Sequence, residues 1–440
     1  MVSGTGGIMS ERFKHNFVVA GRYMFRVLLA IIAGIVIGAA GSLFSYSIGF
    51  VTAFRKSHSL IIWLLPLGGL IIAFLYEKAG DRVSGGTNRV IRSISGSEKL
   101  PFLLAPLIFV STVITHLFGG SSGREGAALQ LGGSLAQSAA RRLKLSSGEI
   151  KIMTMCGMSA AFSALFGTPL AAAFFSMELT NVGVMYYSAL LPCVASALSA
   201  SLTAKAFGIA PDAFVIKIVQ ELTPITISHT FLLAFLCGLL AILFCVVMHE
   251  ATHLYQKYIP NPYLRAAAGG LAVAVLTFLV GSQIYNGAGL DVIELAIAGE
   301  APLSAFLLKM IFTALTLGAG FKGGEIVPSL YIGGTFGALY AAVFGLTPGP
   351  CVAIAMCALF CGVTNCPVSS LLLSFELFGY DGMPYFLIAC AVSYGFSGYY
   401  SLYSAQKFMG AKEDFVETAS RTDDHAVHGD GQTSGGHHPW

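Results

Sequence analysis

The sequence predicts an all-α polytopic membrane protein built from two related halves, and three observations predict it. Hydrophobic residues make up 55% of the 440-residue chain and charged residues only 11%. A soluble domain carries about 25% charged residues, so this chain lacks the groups to cover a water-facing surface. Apolar runs at 26–54, 60–76, 231–248 and 266–280 approach or exceed the roughly 20 helical residues that cross a hydrocarbon core. A proline–glutamate segment also recurs. Pro169 precedes Glu178 by nine residues in FGTPLAAAFFSMEL, and Pro367 precedes Glu376 by nine in CPVSSLLLSFEL, 198 positions downstream.

The apolar runs do not alternate, as the roughly 10-residue strands of a membrane barrel would, so helices are the expected spanning elements. The 51 glycines suit helices that approach one another closely in lipid. Residues 1–17 read as a polar cytoplasmic leader, 18–406 as the membrane domain and 407–440 as a polar, disordered tail. The first apolar run is too long for the core of a cleavable signal. Basic residues cluster at Arg12, Lys14, Arg22 and Arg26, at Arg82, Arg89, Arg92 and Lys99, and at Arg141, Arg142, Lys144 and Lys151. The positive-inside rule places these segments, with both termini, in the cytoplasm of a cell inner membrane. A net charge of +3 does not suggest a nucleic-acid partner, and the nine cysteines, without paired spacing, read as free packed thiols.

The repeat extends beyond the proline–glutamate segments. Met155–Cys156 and Met356–Cys357 precede them, and GREGAALQLGGSLA from Gly123 resembles GGEIVPSLYIGGTFG from Gly323. The paired glycines Gly132–Gly133 and Gly333–Gly334 differ by 201, which leaves Glu125 and Glu325 one register apart. Two halves, about 18–205 and 227–406, suit a transporter made by duplication. The stretches 127–140 and 169–179 are bounded by Gly, Pro or charge and read as half-helices ending inside the membrane. Their N-termini offer free N–H groups and positive partial charge, and such ends must face protein or a polar cavity. Converging ends of this kind form an anion site.

Four segments resemble the CLC family of anion channels and proton-coupled anion antiporters. GSSGREGAALQLGG is similar to its GREGP element, with Ala127 at the usual proline. GFKGGEIVPSLYIGG is similar to its GxFxP element, with Glu325 and Ile326 in place of the usual apolar pair. SGGTNRVIRSI occupies the place of its GSGIP element, and LYSAQK resembles the segment carrying an anion-contacting tyrosine. The resemblance implies that Glu125 is a gating glutamate whose carboxylate competes with the anion. It implies that Thr87, with Asn88 following, contacts the central anion. Backbone groups of Gly324 and Ile326 line the site beside Glu325, and Tyr403 contacts the anion. It also implies a homodimer in which each subunit has its own pathway.

A glutamate in the GxFxP-like element and a rewritten GSGIP-like element resemble the bacterial fluoride/proton antiporter branch. Leu179 stands where chloride antiporters carry a second glutamate, a lack that branch shares. Fluoride is small and strongly hydrated, so its site must replace water with dense hydrogen bonds, which Thr87, Asn88, Tyr403 and backbone amides can donate. A carboxylate deep in lipid favours its neutral form; Glu325 is expected to bind fluoride as a neutral acid while Glu125 carries the exchanged proton. The expected function is export of fluoride in exchange for protons, conferring fluoride resistance, with no enzymatic activity and no cofactor. The alternatives are a chloride or nitrate antiporter of the same family, or a passive anion channel.

Glu178 and Glu376 are expected to cap or pair at helix ends, and Arg124 and Lys322 to anchor helix ends or meet carboxylates. Two enzyme-like motifs remain. His249–His253 fits H-E-x-x-H but lies where a helix emerges into water, before Tyr255, Lys257 and Pro260. Gly119–Gly123 fits G-x-S-x-G, but no strand precedes it as an elbow requires. A glycine-rich approach to a half-helix accounts for it better, so an intramembrane protease is the distant alternative and no metal is expected.

Overall fold

The computed structural model describes residues 5–96, 98–214, 216, 221–410 and 412, with side chains from residue 20 onward. The first half of the chain forms α1 (Thr5–Ser57), α2 (Leu65–Ala79), α3 (Gly86–Ser95), α4 (Leu104–Leu117), α5 (Glu125–Arg142), α6 (Ser147–Phe166), α7 (Pro169–Glu178) and α8 (Leu190–Ala206). The second forms α9 (Pro224–Tyr258), α10 (Pro262–Val280), α11 (Leu290–Ala298), α12 (Ala305–Gly318), α13 (Ile326–Phe344), α14 (Pro348–Thr364), α15 (Pro367–Phe378) and α16 (Met383–Phe396). The eight helices of one half match the eight of the other in order. Among the described residues, seven helical spans are long and apolar enough to cross a bilayer, and all four apolar runs read from the sequence fall within them.

Local sequence sets the helix ends. Pro169 and Pro367 open α7 and α15, the position where a missing N–H costs nothing. Ser146 and Glu149 form a capping box at the start of α6, and α14 stops at Asn365 in a left-handed conformation, φ 55°. α5 spans 18 residues, from Glu125 to Arg142, and is longer than the 127–140 stretch. Its polar ends are helical as well, because Glu125 favours a helix N-terminus and the two arginines a C-terminus. α7, with 10 residues, is only about 15 Å long and ends within the membrane.

The repeated glycine pairs are explained by packing. A Cβ on Gly132 would lie 2.1 Å from the Gly157 carbonyl oxygen, and one on Gly157 would lie 2.2 Å from the Gly132 oxygen. α5 and α6 therefore meet backbone to backbone. In the second half, a Cβ on Gly333 would lie 2.7 Å from the Ala355 oxygen, which brings α13 against α14 in the same way. The nine cysteines are all free and buried, as expected.

Glu178 and Glu376 each cap the other half's short helix. Glu178 accepts from the Val368 and Ser369 amides at the start of α15, at 3.2 and 2.9 Å. Glu376 accepts from the Leu170 and Ala171 amides at the start of α7, both at 2.9 Å. The expected capping role thus takes a reciprocal form.

Residues 5–17 already belong to α1. At the other end, β2 (Lys407–Phe408) pairs in parallel with β1 (Asn181–Val182). Lys412 Nζ donates to Asn365 Oδ1 at 2.6 Å and to the Tyr394 carbonyl at 2.9 Å. The chain is therefore held past position 407 because backbone pairing and a half-buried, hydrogen-bonded ammonium fix it. The rest of the tail, 413–440, lies outside the described residues.

Candidate anion site

Two backbones meet ahead of α5 and α13. Gly123 and Gly324 form an antiparallel bridge, with N–H to O distances of 2.7 and 2.8 Å. Chains running antiparallel through the bridge continue into helices that leave in opposite directions, as inverted halves require. Only glycine fits: a Cβ on Gly324 would lie 2.4 Å from the Gly126 nitrogen. The bridge also fixes the repeat offset at 201 residues, so Glu325 stands where Arg124 stands in the first half. Glu125 is the first residue of α5 and Glu325 the N-cap of α13, and the one-register difference read from the sequence is real.

Glu125 is fully buried. Its carboxylate accepts from the Arg124 amide at 2.9 Å and from Arg124 Nε at 3.4 Å. The guanidinium spends its shorter contacts elsewhere, on Asp212 Oδ2 at 3.0 Å and Ser45 Oγ at 3.1 Å. Arg124 anchors the helix start, as expected. Lys322 instead lies over the Tyr76 ring, 4.3 Å from its centroid.

Around the bridge the expected residues come together. An ideal Cβ on Gly126 would lie 3.5 Å from both Glu325 Oε2 and Thr87 Oγ1, so a threonine of α3 and the acid of α13 flank the first turn of α5. Glu325 is half-buried, yet its Oε2 is enclosed and has no hydrogen-bond partner. The Tyr403 hydroxyl is likewise enclosed and unpartnered, within electrostatic reach of Glu325 and Glu125. Buried polar atoms are nearly always hydrogen-bonded, so an orphaned carboxyl oxygen and an orphaned hydroxyl each mark a place for a polar guest. Ile326 is buried at the start of α13, behind Gly324.

Asn88 joins two segments. Its Oδ1 accepts from the Ala405 amide at 3.0 Å, pinning the loop that carries Tyr403. Gln130 was not expected. Its Nε2 donates to the Gly126 carbonyl at 3.2 Å and to Thr87 Oγ1 at 3.4 Å, tying α5 to α3. A glutamine four residues after Gly126 in an apolar helix was the available signal, since i and i+4 share a helix face.

The enzyme-like motifs do not form sites. Ser121 Oγ meets Thr313 Oγ1 at 3.0 Å, and a Cβ on Gly323 would lie 2.3 Å from Ser122 Oγ, so that hydroxyl is packed against backbone. His253 and Glu250 are exposed and 4.0 Å apart. No cluster that could hold a metal ion occurs among the described residues.

The model of the voltage gated chloride channel family matches residues 68–398. The chain belongs to the CLC family. A "Chloride/fluoride channel protein" of Pseudomonas syringae pv. tomato is 35% identical over 391 residues, which covers 87% of this chain and 86% of that one. A crystal structure of a CLC-type fluoride/proton antiporter superposes with a TM-score of 0.84 at 32% identity, over 88% of this chain and 98% of that one. A slow cyanobacterial Cl-/H+ antiporter superposes with a TM-score of 0.75 at 17% identity, over 84% of this chain and 94% of that one, which shows the shared CLC fold. CLC proteins are channels and transporters of the membrane, not known as enzymes.

Proposed function

We propose that this CLC protein exports fluoride in exchange for protons and so protects the cell from fluoride. The observation that carries the reading is the orphaned Glu325 Oε2, which lies with Thr87 against the first turn of α5 that begins at the buried Glu125, together with the orphaned Tyr403 hydroxyl. An anion held there accepts hydrogen bonds from Thr87 and Tyr403 and from Glu325 when that acid is neutral. A compact site of dense donors favours a small hard anion over a larger halide. Glu125 competes with the anion when ionised and withdraws when protonated, which couples the two fluxes. The names of the Pseudomonas relative and of the antiporter structure agree with fluoride as cargo.

The basic clusters support an orientation. Arg26 bonds Glu149 at 3.1 Å, and Arg142 lies over the Phe102 ring, 5.3 Å from its centroid, so the clusters share one face. With that face cytoplasmic, the protein sits in the plasma membrane with its termini inside. A homodimer with a separate pathway in each subunit fits a site whose groups all come from one chain.

The deciding experiment is efflux from proteoliposomes, with fluoride and chloride compared while proton movement is recorded. Fluoride flux accompanied by opposing proton movement is expected. Equal chloride flux would transfer the function to chloride exchange, and fluoride flux without protons would make the protein a channel.

A further inference from the structure

A chamber of about 370 Å³ opens beside Arg124. It is walled by the far end of α1 and by the segment leading into α11, with Arg55, Lys56, Arg124 and Asp291 among its lining groups. Two of the three cations already have carboxylates: Lys56 pairs with Asp291 and Arg124 with Asp212, both at 3.0 Å. Arg55 does not. It is only 3% exposed, and its Nε and Nη1 are enclosed without any hydrogen-bond partner.

A guanidinium removed from water without an acceptor is strongly unfavourable, yet the surroundings make room for this one. Gly287, with φ 62°, lies where a Cβ would be 3.0 Å from Arg55 Nη2. Lys309 Nζ donates to the Gly287 and Tyr285 carbonyls at 2.6 and 3.2 Å, fixing that loop beneath Arg55 with a second buried cation. Glycine, lysine anchor and chamber together hold an arginine fork whose Nε and Nη1 have no acceptor among the described residues.

We propose that Arg55 binds a small monovalent anion of the halide class in this chamber, as an antechamber to the position that Glu125 contests. This rests on the reading of the chain as an anion transporter, but not on fluoride as its cargo. Arg26 and Arg55 are separated by 29 residues of α1, or about 44 Å of helix, so the antechamber serves the face opposite the basic clusters. Asp291 opposes the anion and sets how strongly it is held.

The test has two readouts. In crystals of the full-length protein soaked in bromide, an anomalous peak is expected beside the Arg55 guanidinium, lost in Arg55→Met and retained in Arg55→Lys. In proteoliposomes, Arg55→Met should raise KM about tenfold for the transported anion presented on the Arg55 face, the loss of one charge-assisted hydrogen bond. KM on the other face and kcat should stay close to the parent. Asp291→Asn should lower the same KM. No bromide at Arg55 in the parent, or an unchanged KM on that face in Arg55→Met, overturns the antechamber even if fluoride exchange is intact. A bromide peak in a protein that moves chloride and not fluoride keeps the antechamber and discards fluoride.

Discussion

At the scale of single residues, the site separates groups by what they lack. Glu125 is buried but held by its neighbouring amide, whereas Glu325 Oε2 and the Tyr403 hydroxyl have no hydrogen-bond partner among the described residues. Glu125→Gln cannot ionise, so fluoride flux should persist while proton counter-movement disappears, read from a pH dye inside vesicles. Glu325→Gln keeps the shape but replaces an acid by an amide. Placed in the Glu125→Gln background, its expected signature is fluoride transport that no longer varies with pH, and a pH profile unchanged from that of Glu125→Gln would remove Glu325 from the titrating groups. Gln130→Leu deletes donors to Thr87 and Gly126. Losing a hydrogen bond of about 1 kcal/mol should raise the fluoride KM roughly fivefold. The acids, Thr87 and Tyr403 were legible because each is a chemically marked residue in a recognisable segment. Gln130 and Arg55 were not, since their meaning depends on what surrounds them in three dimensions. Asn88 was legible as a position but acts through the Ala405 amide, a partner 317 residues away.

At the scale of elements, α7 and α15 depend on each other. Glu178 is 4% exposed and serves two amides and the Ser369 hydroxyl, whereas Glu376 is half-buried and serves two amides. Each buried donor left without an acceptor costs about 1–3 kcal/mol. Glu178→Ala should therefore lower Tm in detergent more than Glu376→Ala does, and equal effects would show that burial does not set the difference. The proline–glutamate spacing in the sequence announced two capped helices. That each cap crosses to the other half could not be read, because spacing within a repeat says nothing of its partner. The paired glycines announced close packing, and the positions where a side chain would strike Gly157 or Ala355 confirm where it occurs.

At the scale of the whole molecule, α1 sets the polarity. Arg26 and Arg55 lie 29 residues apart on one continuous helix, about 44 Å along its axis. All nine native cysteines are buried, so introduced thiols report cleanly. Lys144→Cys should react with a membrane-impermeant maleimide only from the cytoplasmic face, and Lys56→Cys only from the opposite one. Labelling of both from one face would refute the orientation. The helical membrane class and the duplication were visible in composition and spacing, because hydrocarbon leaves so few structures open to a backbone. That Lys407, Phe408 and Lys412 are fixed was not legible, because a polar stretch can still be held by backbone pairing and hydrogen bonds.

The swapped caps of α7 and α15 bear on how such a chain came to exist. A glutamate that closes its twin's helix does so equally well across two separate chains as within one. A gene of half this length would therefore have made a polypeptide with one open helix start and one spare carboxylate, which a second, inverted copy satisfies by a reciprocal two-fold exchange. Fusion of the two genes kept that handshake and turned an encounter between strangers into a covalent certainty.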